Sequence, residues 1–157
     1  MKRKGVPRIL FVDGPNLNVL GKREPSVYGR QTLAGIREAV SETARREGAA
    51  VLFFQSNHEG EIVEALQGAR EKADGVVINP AGYTHTSVAI RDALLYCGLP
   101  AIEVHLSNPT KRDGFRKVSL VEDVVVGRIC GLGGYGYVLA LLGLLRHLRN
   151  EGERGRG

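Results

Sequence analysis

Residues 8–15 read Arg8-Ile-Leu-Phe-Val-Asp-Gly-Pro15, a short apolar run that ends at a Gly-Pro pair. A run of this length, bounded by turn residues, is typical of a buried β-strand. The same pattern recurs at 50–55, 75–79 and 100–106, and once more at 124–130. Short and continuously apolar strands are typical of a parallel sheet that is covered on both faces.

Segments with helical periodicity lie between these strands. Apolar residues at helical spacing predict helices at 32–48, 60–73, 86–97 and 138–148. Either Thr84 or Thr86 is expected to cap the third helix. Alternating strands and helices predict an α/β domain of the flavodoxin-like class, with a five-stranded parallel sheet and helices on both faces. In that architecture, ligands bind at the C-terminal ends of the strands.

The length and charge distribution favour one domain with basic tails. The chain has 157 residues, which suits a single domain over residues 1–157. Residues 1–8 carry four basic side chains and no acidic one, and residues 146–157 carry four arginines and two glutamates. The stretch between them holds 14 basic and 15 acidic residues. We therefore expect flexible, solubilising tails at 1–8 and about 149–157, and no nucleic-acid partner.

The composition also indicates the cellular compartment of the protein. No apolar run reaches the roughly 18 residues of a membrane span, and no apolar stretch follows the basic N-terminus as in a secretory signal. The two cysteines, Cys97 and Cys130, both lie in apolar segments. This placement favours a reducing compartment and argues against a disulfide framework. We therefore expect a cytoplasmic protein without a membrane partner.

The loop after the first strand is a candidate functional segment. It extends from Asp13 to Gly29, whereas such loops usually have about 2–6 residues. It carries Asn16, Arg23 and Tyr28. Because a guanidinium can lower the pKa of a phenol, an arginine and a tyrosine together on one loop are stronger candidates than turn residues alone.

The fourth strand gives the sharpest signal. Glu103, His105 and Ser107 alternate, so they share one face near the C-terminal end of the strand. A carboxylate beside a histidine orients the ring and supports its protonated form. A basic cluster follows, which is either a solvated turn or an anion clamp: Lys111, Arg112, Arg116 and Lys117.

Three further motifs are less specific. Asn79 and His85 follow the third strand, where binding and helix capping are equally natural. His58-Glu59 resembles the start of a zinc-binding HExxH motif, but Ile62 stands in place of the second histidine, so no metal site is expected. The glycines of 131–136 spell GxGxxG, but no strand follows to carry the ribose-binding acid of a dinucleotide site.

Taken in order along the chain, these segments resemble one family. The sequence closely resembles the type II 3-dehydroquinate dehydratases of the shikimate pathway. The matching segments are Gly14-Pro-Asn-Leu-Asn, Leu20-Gly-Lys-Arg-Glu-Pro, Tyr28-Gly, Gln55-Ser-Asn, Asn79-Pro-Ala-Gly, Thr84-His-Thr-Ser, Ile102-Glu-Val-His-Leu-Ser-Asn108, Phe115-Arg116 and the stretch from Gly131 to Leu141. Asp13 departs from the pattern, because the family usually has Asn before Gly-Pro-Asn.

The resemblance implies a reaction. It implies a lyase that dehydrates 3-dehydroquinate to 3-dehydroshikimate by anti elimination through an enolate, without metal or organic cofactor. Tyr28 would be the base, activated by Arg23, and His105 the acid, oriented by Glu103. Asn16 would hold the enolate through a water. The substrate-binding residues implied are Asn79, His85 and Arg116 for the ring hydroxyls, the amides of Leu106 and Ser107 for the carboxylate, and Arg112 on the lid.

The resemblance also implies an assembly. It implies a homododecamer of four trimers, in which Asp92 on the third helix reaches a neighbouring subunit's site. Two other classes of function remain open from the residues alone. One is a non-catalytic flavodoxin-like module that binds a nucleotide or phosphorylated partner, and the other is a nucleic-acid binder that works through its tails.

Overall fold

Five strands form one parallel sheet in the computed structural model, which describes residues 5–22, 26 and 31–154. The order across the sheet is β2-β1-β3-β4-β5. The strands are β1 (Arg8–Asp13), β2 (Ala50–Gln55), β3 (Gly75–Asn79), β4 (Ala101–His105) and β5 (Gly127–Cys130). This arrangement confirms the predicted flavodoxin-like α/β class.

Helices lie in the connections between the strands. They are α1 (Leu33–Arg46), α2 (Glu59–Gln67), α3 (Ala69–Lys72), α4 (Val88–Cys97) and α5 (Tyr135–Arg154). Short 3₁₀ turns cover 17–19, 81–85, 109–111 and 114–117. The last three follow β3 and β4, so irregular backbone is concentrated at the C-terminal edge of the sheet.

The structure corrects three predicted boundaries. The helix predicted over 60–73 is interrupted at Gly68, a poor helix former, and becomes α2 and α3. The predicted cap at Thr84 or Thr86 is wrong, because Ser87 Oγ accepts the hydrogen bond from Ile90 N–H and α4 begins at Val88. β5 begins at Gly127 and not at residue 124, since residues 121–124 form a turn.

The last helix is longer than the sequence predicts. α5 continues to Arg154, six residues past the predicted end at 148, and Arg149 Nη2 lies 3.0 Å from the Glu47 carboxylate. Residues 149–154 of the predicted C-terminal tail are therefore helical. None of the helices described is long and apolar enough to cross a membrane.

Two apolar cores lie on opposite faces of the sheet. Alternate strand residues such as Phe11 and Val104 face α1 and α5, where Leu141 and Leu144 are fully buried. Their neighbours in sequence, including Val12, face α2 and α4. The burial of both faces explains why the strands are continuously apolar and do not alternate.

The chain changes direction across the sheet between β1 and β3. β2 lies on one side of β1 and β3 lies on the other, which makes this the switch point where open α/β sheets form a crevice. Gly14 follows β1 here, and its N–H donates to the Asn79 carbonyl over 2.8 Å. A Cβ at position 14 would lie 2.4 Å from the Pro80 carbonyl oxygen, so only glycine permits this close approach.

We expect Gly14→Ala to destabilise the protein by about 1–3 kcal/mol, because the methyl group meets rigid backbone and not a movable side chain. Gly60→Ala is the matched control, since a Cβ at that exposed helical position meets nothing within 4 Å. It should be neutral or stabilising by up to about 1 kcal/mol. Urea unfolding midpoints measure both changes, and equal midpoints for the two variants would contradict the argument.

Candidate active site

A cavity of about 180 Å³ opens at the C-terminal edge of the sheet, beside the switch point. Segments that follow β1, β3 and β4 form its walls. The residues that line it are Pro15, Asn16, Leu17, Leu20, Asn79, Ala81, Gly82, His85, His105, Leu106, Ser107, Pro109, Arg112 and Arg116. Most of the binding residues predicted from the sequence therefore meet at one place.

β4 supplies a buried acid–base pair. Glu103 is fully buried and His105 is 7% exposed at the cavity wall. His105 Nε2 lies 2.6 Å from Glu103 Oε1, as expected for two residues that alternate on one strand face. Because a carboxylate only accepts, Nε2–H is the donor, and Nδ1 is the ring nitrogen left to exchange a proton with a ligand.

The Glu103 carboxylate is held by groups from three other segments. Ser119 Oγ donates to both carboxylate oxygens at 3.0 and 3.1 Å. Thr84 Oγ1 lies 3.4 Å from Oε1, and Arg128 Nε from β5 lies 3.2 Å from Oε2. Burial acts to raise the pKa of Glu103, but the hydrogen bond and charge of His105, then Arg128 and Ser119, hold this pKa below its usual range. Glu103 is therefore a fixed negative charge behind His105.

Strained backbone marks two other walls. In the described part of the chain, Asn16 and Ala81 are the two non-glycine residues with positive φ, at 70° and 53°, and both line the cavity. The Asn16 N–H donates to Asn57 Oδ1 over 2.9 Å, which fixes the loop after β1. Such conformations persist where the surrounding structure imposes them, and they concentrate at functional sites.

His85 is oriented by the backbone of the loop after β4. Its Nδ1 lies 2.6 Å from the Val118 carbonyl oxygen, so Nδ1 carries the proton and donates. Among the residues that the structure describes, Nε2 of this half-buried ring has no partner, so it is placed to accept a hydrogen bond.

Two arginines bring positive charge to the outer wall. The Arg116 guanidinium pairs with Asp113 and lies 4.5 Å from the centre of the Phe115 ring. Arg112 lines the same wall from the preceding turn. Of the two alternatives for the basic cluster, this placement favours an anion clamp over a purely solvated turn.

A second buried carboxylate lies beneath the cavity. Asp13 is 1% exposed, and its Oδ1 accepts a hydrogen bond from the Tyr137 hydroxyl over 2.9 Å. Arg37 Nη2 lies 3.4 Å from Oδ2. Burial raises the pKa of Asp13 from 3.8 to about 6, although Tyr137 and Arg37 act to lower this pKa.

Tyr137 in turn contacts a cavity residue. Asn79 Nδ2 donates to the Tyr137 hydroxyl over 2.8 Å, and Asn79 Oδ1 accepts from the Ala81 N–H over 3.1 Å. Both ends of the Asn79 amide are therefore held by the protein.

Two of the predicted site residues that the structure describes do not line the cavity. Asp92 is exposed on α4, and Glu103 lies behind His105. Arg23 and Tyr28 lie outside the described residues, so the structure does not place them. Leu20, which lines the cavity, is three residues before Arg23.

The arrangement suits a small, oxygen-rich anion. It combines one histidine backed by a carboxylate, a second histidine, amide donors and two cations. In the described part of the chain, no three His, Cys, Asp or Glu side chains are grouped so that they could hold a metal ion.

Comparison with known proteins gives the family. The model of the family described as dehydroquinase class II matches residues 7–145. The chain belongs to the class II dehydroquinases. It is therefore a hydro-lyase, a 3-dehydroquinate dehydratase of the shikimate pathway.

Individual relatives support the same family assignment for this dehydroquinase. The chain is 51% identical to the 3-dehydroquinate dehydratase of Campylobacter hominis over 88% of this chain and 90% of the relative. It is 53% identical to 3-dehydroquinate dehydratase 2 of Pseudomonas putida, over 86% and 91% of the two chains. A type II dehydroquinase crystal structure from Butyrivibrio crossotus superposes with a TM-score of 0.86 at 42% identity, covering 88% of this chain and 97% of that one.

Sequence reasoning missed four residues of this dehydroquinase site. Tyr137, Ser119, Thr84 and Arg128 contact predicted site residues but were not predicted to be part of the site. Ser119 and Arg128 reach Glu103 from 16 and 25 positions along the chain, so no local spacing signals them. One signal was available for Tyr137, because the GxGxxG stretch predicts close backbone packing that would bring its neighbour against the sheet.

The raised pKa of Asp13 makes stability depend on pH. Unfolded Asp13 ionises near pH 3.8 and folded Asp13 near pH 6, so the folded state loses stability as the pH rises through this window. Above this pH window, the ionisation of buried Asp13 lowers the free energy of unfolding by about 3 kcal/mol. We expect Asp13→Asn to gain stability relative to the parent between pH 4 and pH 6 and to keep that gain above pH 6. Chemical unfolding at pH 4, 5, 6 and 8 measures it, and a pH-independent difference would contradict the assignment.

Proposed function

We propose that this dehydroquinase dehydrates 3-dehydroquinate to 3-dehydroshikimate by anti elimination through an enolate, using only its own side chains. The observation that carries the proposal is the Glu103–His105 pair at the cavity wall, 2.6 Å apart and backed by a fully buried negative charge. An elimination of this type needs a base to remove a proton next to the ketone and an acid to protonate the departing hydroxide.

His105 is the acid in this mechanism. Glu103 accepts from Nε2–H and orients the ring, which leaves Nδ1 to deliver the proton. The carboxylate remains an anion throughout, because Ser119 and Arg128 hold it in that form. Glu103 thus acts through His105, by orientation and by charge.

Tyr28 is the base, as a phenolate, and Arg23 lowers its pKa. The family resemblance supports both assignments. The position of Leu20 in the cavity wall supports them further, because Leu20 is three residues before Arg23 in the sequence. Asn16 holds the enolate oxygen through a bound water.

The remaining cavity residues bind the substrate. Asn79, His85 and Arg116 bind the ring hydroxyls, and Arg112 belongs to the lid. The amides of Leu106 and Ser107 bind the carboxylate. The backbone that carries these amides is supported by two hydrogen bonds, in which the carbonyls of His105 and Leu106 accept from Gly131 N–H and Gly133 N–H at 3.2 and 2.9 Å.

The direct test follows formation of the conjugated enone. Purified protein with 3-dehydroquinate should develop the ultraviolet absorbance of 3-dehydroshikimate. Protein that has been treated with a chelator and dialysed should do so at the same rate, because no metal takes part. Loss of activity on chelation, restored by a metal ion, would overturn the cofactor-independent route.

We also propose a cytoplasmic homododecamer built as a tetramer of trimers. Asp92 lies on an exposed face of α4 with Val88, Leu95 and Tyr96, which are 58%, 57% and 64% exposed. Residues spaced by three and four positions share one helix face, and exposed apolar faces of this kind pair with other chains. In the assembly, Asp92 reaches the site of a neighbouring subunit.

Multi-angle light scattering measures the assembly. We expect a mass of 12 chains for the parent, and Leu95→Glu should give smaller and less active species because a charge is introduced into the interface. Lys72→Glu, an exposed change on α3, serves as the control. A fully active parent monomer at assay concentration would contradict the proposal.

We expect His105→Ala to fold normally and to lower kcat by about 10²–10⁴, the usual effect of losing an acid–base group. His58→Ala is the matched control, because His58 is exposed and does not line the cavity. If a folded His105→Ala variant kept near-parental turnover, His85 would become the candidate acid.

We expect Tyr28→Phe to nearly abolish turnover, since the ring remains and only the proton acceptor is lost. A free phenol with a pKa of about 10 is ionised to about one part in a thousand at neutral pH. Arg23→Ala should therefore also be slow, and raising the pH should restore part of its rate. Arg23→Lys should fall between Arg23→Ala and the parent, because it keeps the charge but loses the planar guanidinium.

Rate profiles from pH 6 to pH 10 measure these effects. Substantial activity in folded Tyr28→Phe would exclude Tyr28 as the base. A parental pH profile in Arg23→Ala would assign Arg23 to substrate or enolate binding and not to the ionisation of the tyrosine.

A further inference from the structure

A continuous hydrogen-bonded path leads from the protein surface to the cavity. Arg37 on α1, with a 30% exposed side chain, contacts Asp13 at the end of β1. Asp13 accepts from Tyr137 on α5, and Tyr137 accepts from Asn79 at the end of β3. Asp13, Tyr137 and Asn79 are each at most 3% exposed, so these contacts are shielded from bulk water.

The direction of each hydrogen bond is fixed by which groups can donate. An ionised Asp13 can only accept, so the Tyr137 hydroxyl must donate to it. Burial and the neighbouring Asp13 charge raise the pKa of Tyr137 well above its usual range, so the hydroxyl keeps its proton. Its lone pair then accepts from Asn79, which requires the amino group of the Asn79 amide to point towards Tyr137.

The other end of the Asn79 amide gives the same orientation independently. The Ala81 N–H can only donate, and it lies 3.1 Å from Asn79 Oδ1. Asn79 therefore has its carbonyl oxygen and one amino hydrogen engaged by the protein. Among the described residues the second amino hydrogen has no partner, so this wall of the cavity selects a ligand oxygen that can accept.

We propose that Tyr137 and Asp13 are positioning residues that orient the Asn79 amide as a hydrogen-bond donor to the substrate. The inference deepens the proposed function and rests on its assignment of Asn79 to a substrate hydroxyl oxygen. An asparagine at position 13 can donate or accept a hydrogen bond, whereas an ionised aspartate can only accept. Asp13 therefore fixes which group donates in each hydrogen bond along the path.

The hydrogen-bonded path also contains a titratable group, the Asp13 carboxyl. The groups that face Asp13 are the Tyr137 hydroxyl from α5 and the Arg37 guanidinium from α1, with Asn79 behind Tyr137. When Asp13 binds a proton, its carboxyl can donate to Tyr137, and the constraint on the hydroxyl is released. Substrate binding should therefore weaken as the pH falls through about 6.

A double-mutant cycle with Tyr137→Phe and Asn79→Ala tests the positioning role. Folding is checked first by circular dichroism and urea unfolding. Tyr137→Phe should lower kcat/KM about tenfold, mainly through KM, because Asn79 loses one of the two hydrogen bonds that orient its amide. In the Asn79→Ala background, the same change should have almost no further effect. Tyr135→Phe is the control, an exposed hydroxyl on the same helix.

The outcomes separate the inference from the proposed function. If Asn79→Ala keeps parental kcat/KM, the assignment of Asn79 to the substrate is wrong and the inference falls with it. If Asn79→Ala is impaired but folded Tyr137→Phe is not, or if the two effects are additive, the inference alone is overturned.

Asp13→Asn keeps the inference testable if Tyr137→Phe does not fold. It preserves shape and removes only the charge. The ratio of its KM to that of the parent should be constant above pH 7 and should fall as the pH is lowered from 7 to 5, because only the parent loses an ionised carboxylate. A ratio that stays constant across this range would overturn the role of Asp13.

Discussion

A fully buried carboxylate in a central strand is the constraint that organises this site. An isolated charge in a protein interior costs several kcal/mol, so Glu103 can be buried in β4 only if other groups compensate for the lost water. His105, Ser119 and Arg128 provide that compensation from the same strand, from the loop after β4 and from β5. Removing any of them would leave the charge less well compensated.

This requirement connects the edge strand and a loop to the site. β5 is the edge strand next to β4, and its residues are only partly buried. The ion pair from Arg128 fixes β5 to the site side of β4. Ser119 likewise ties the end of the segment that carries Arg112 and Arg116 to the buried charge.

The sequence predicted the parts of the molecule that depend on local patterns. Buried strands are short apolar runs, and four of the five were placed within one residue at each end. The alternation of Glu103 and His105 on β4 needs only the twofold period of a strand. The sequence did not predict the break at Gly68, because the apolar helical face continues past it. It did not identify Ser87 as the cap of α4, because three neighbouring residues could all serve as that cap.

The contacts that depend on the tertiary fold were beyond sequence reasoning. Tyr137 lies 124 positions from Asp13, and only the packing of α5 across the sheet brings them within 2.9 Å. The sequence did mark Asp13 as a departure from the family pattern. Its consequence could not be derived, since the partner of its side chain was not predicted.

The two buried carboxylates at this edge of the sheet have opposite electrostatic environments. Glu103 has a histidine at 2.6 Å, an arginine at 3.2 Å and a serine that bonds both of its oxygens, and its pKa lies below the usual range. Asp13 has one neutral hydroxyl and an arginine at 3.4 Å, and its pKa is raised to about 6. Burial acts to raise both pKa values, and the number and charge of close donors decide which carboxylate ends below its usual range. The permanent charge lies behind His105, the proposed acid, and the titratable one lies behind the Asn79 amide that is proposed to bind the substrate.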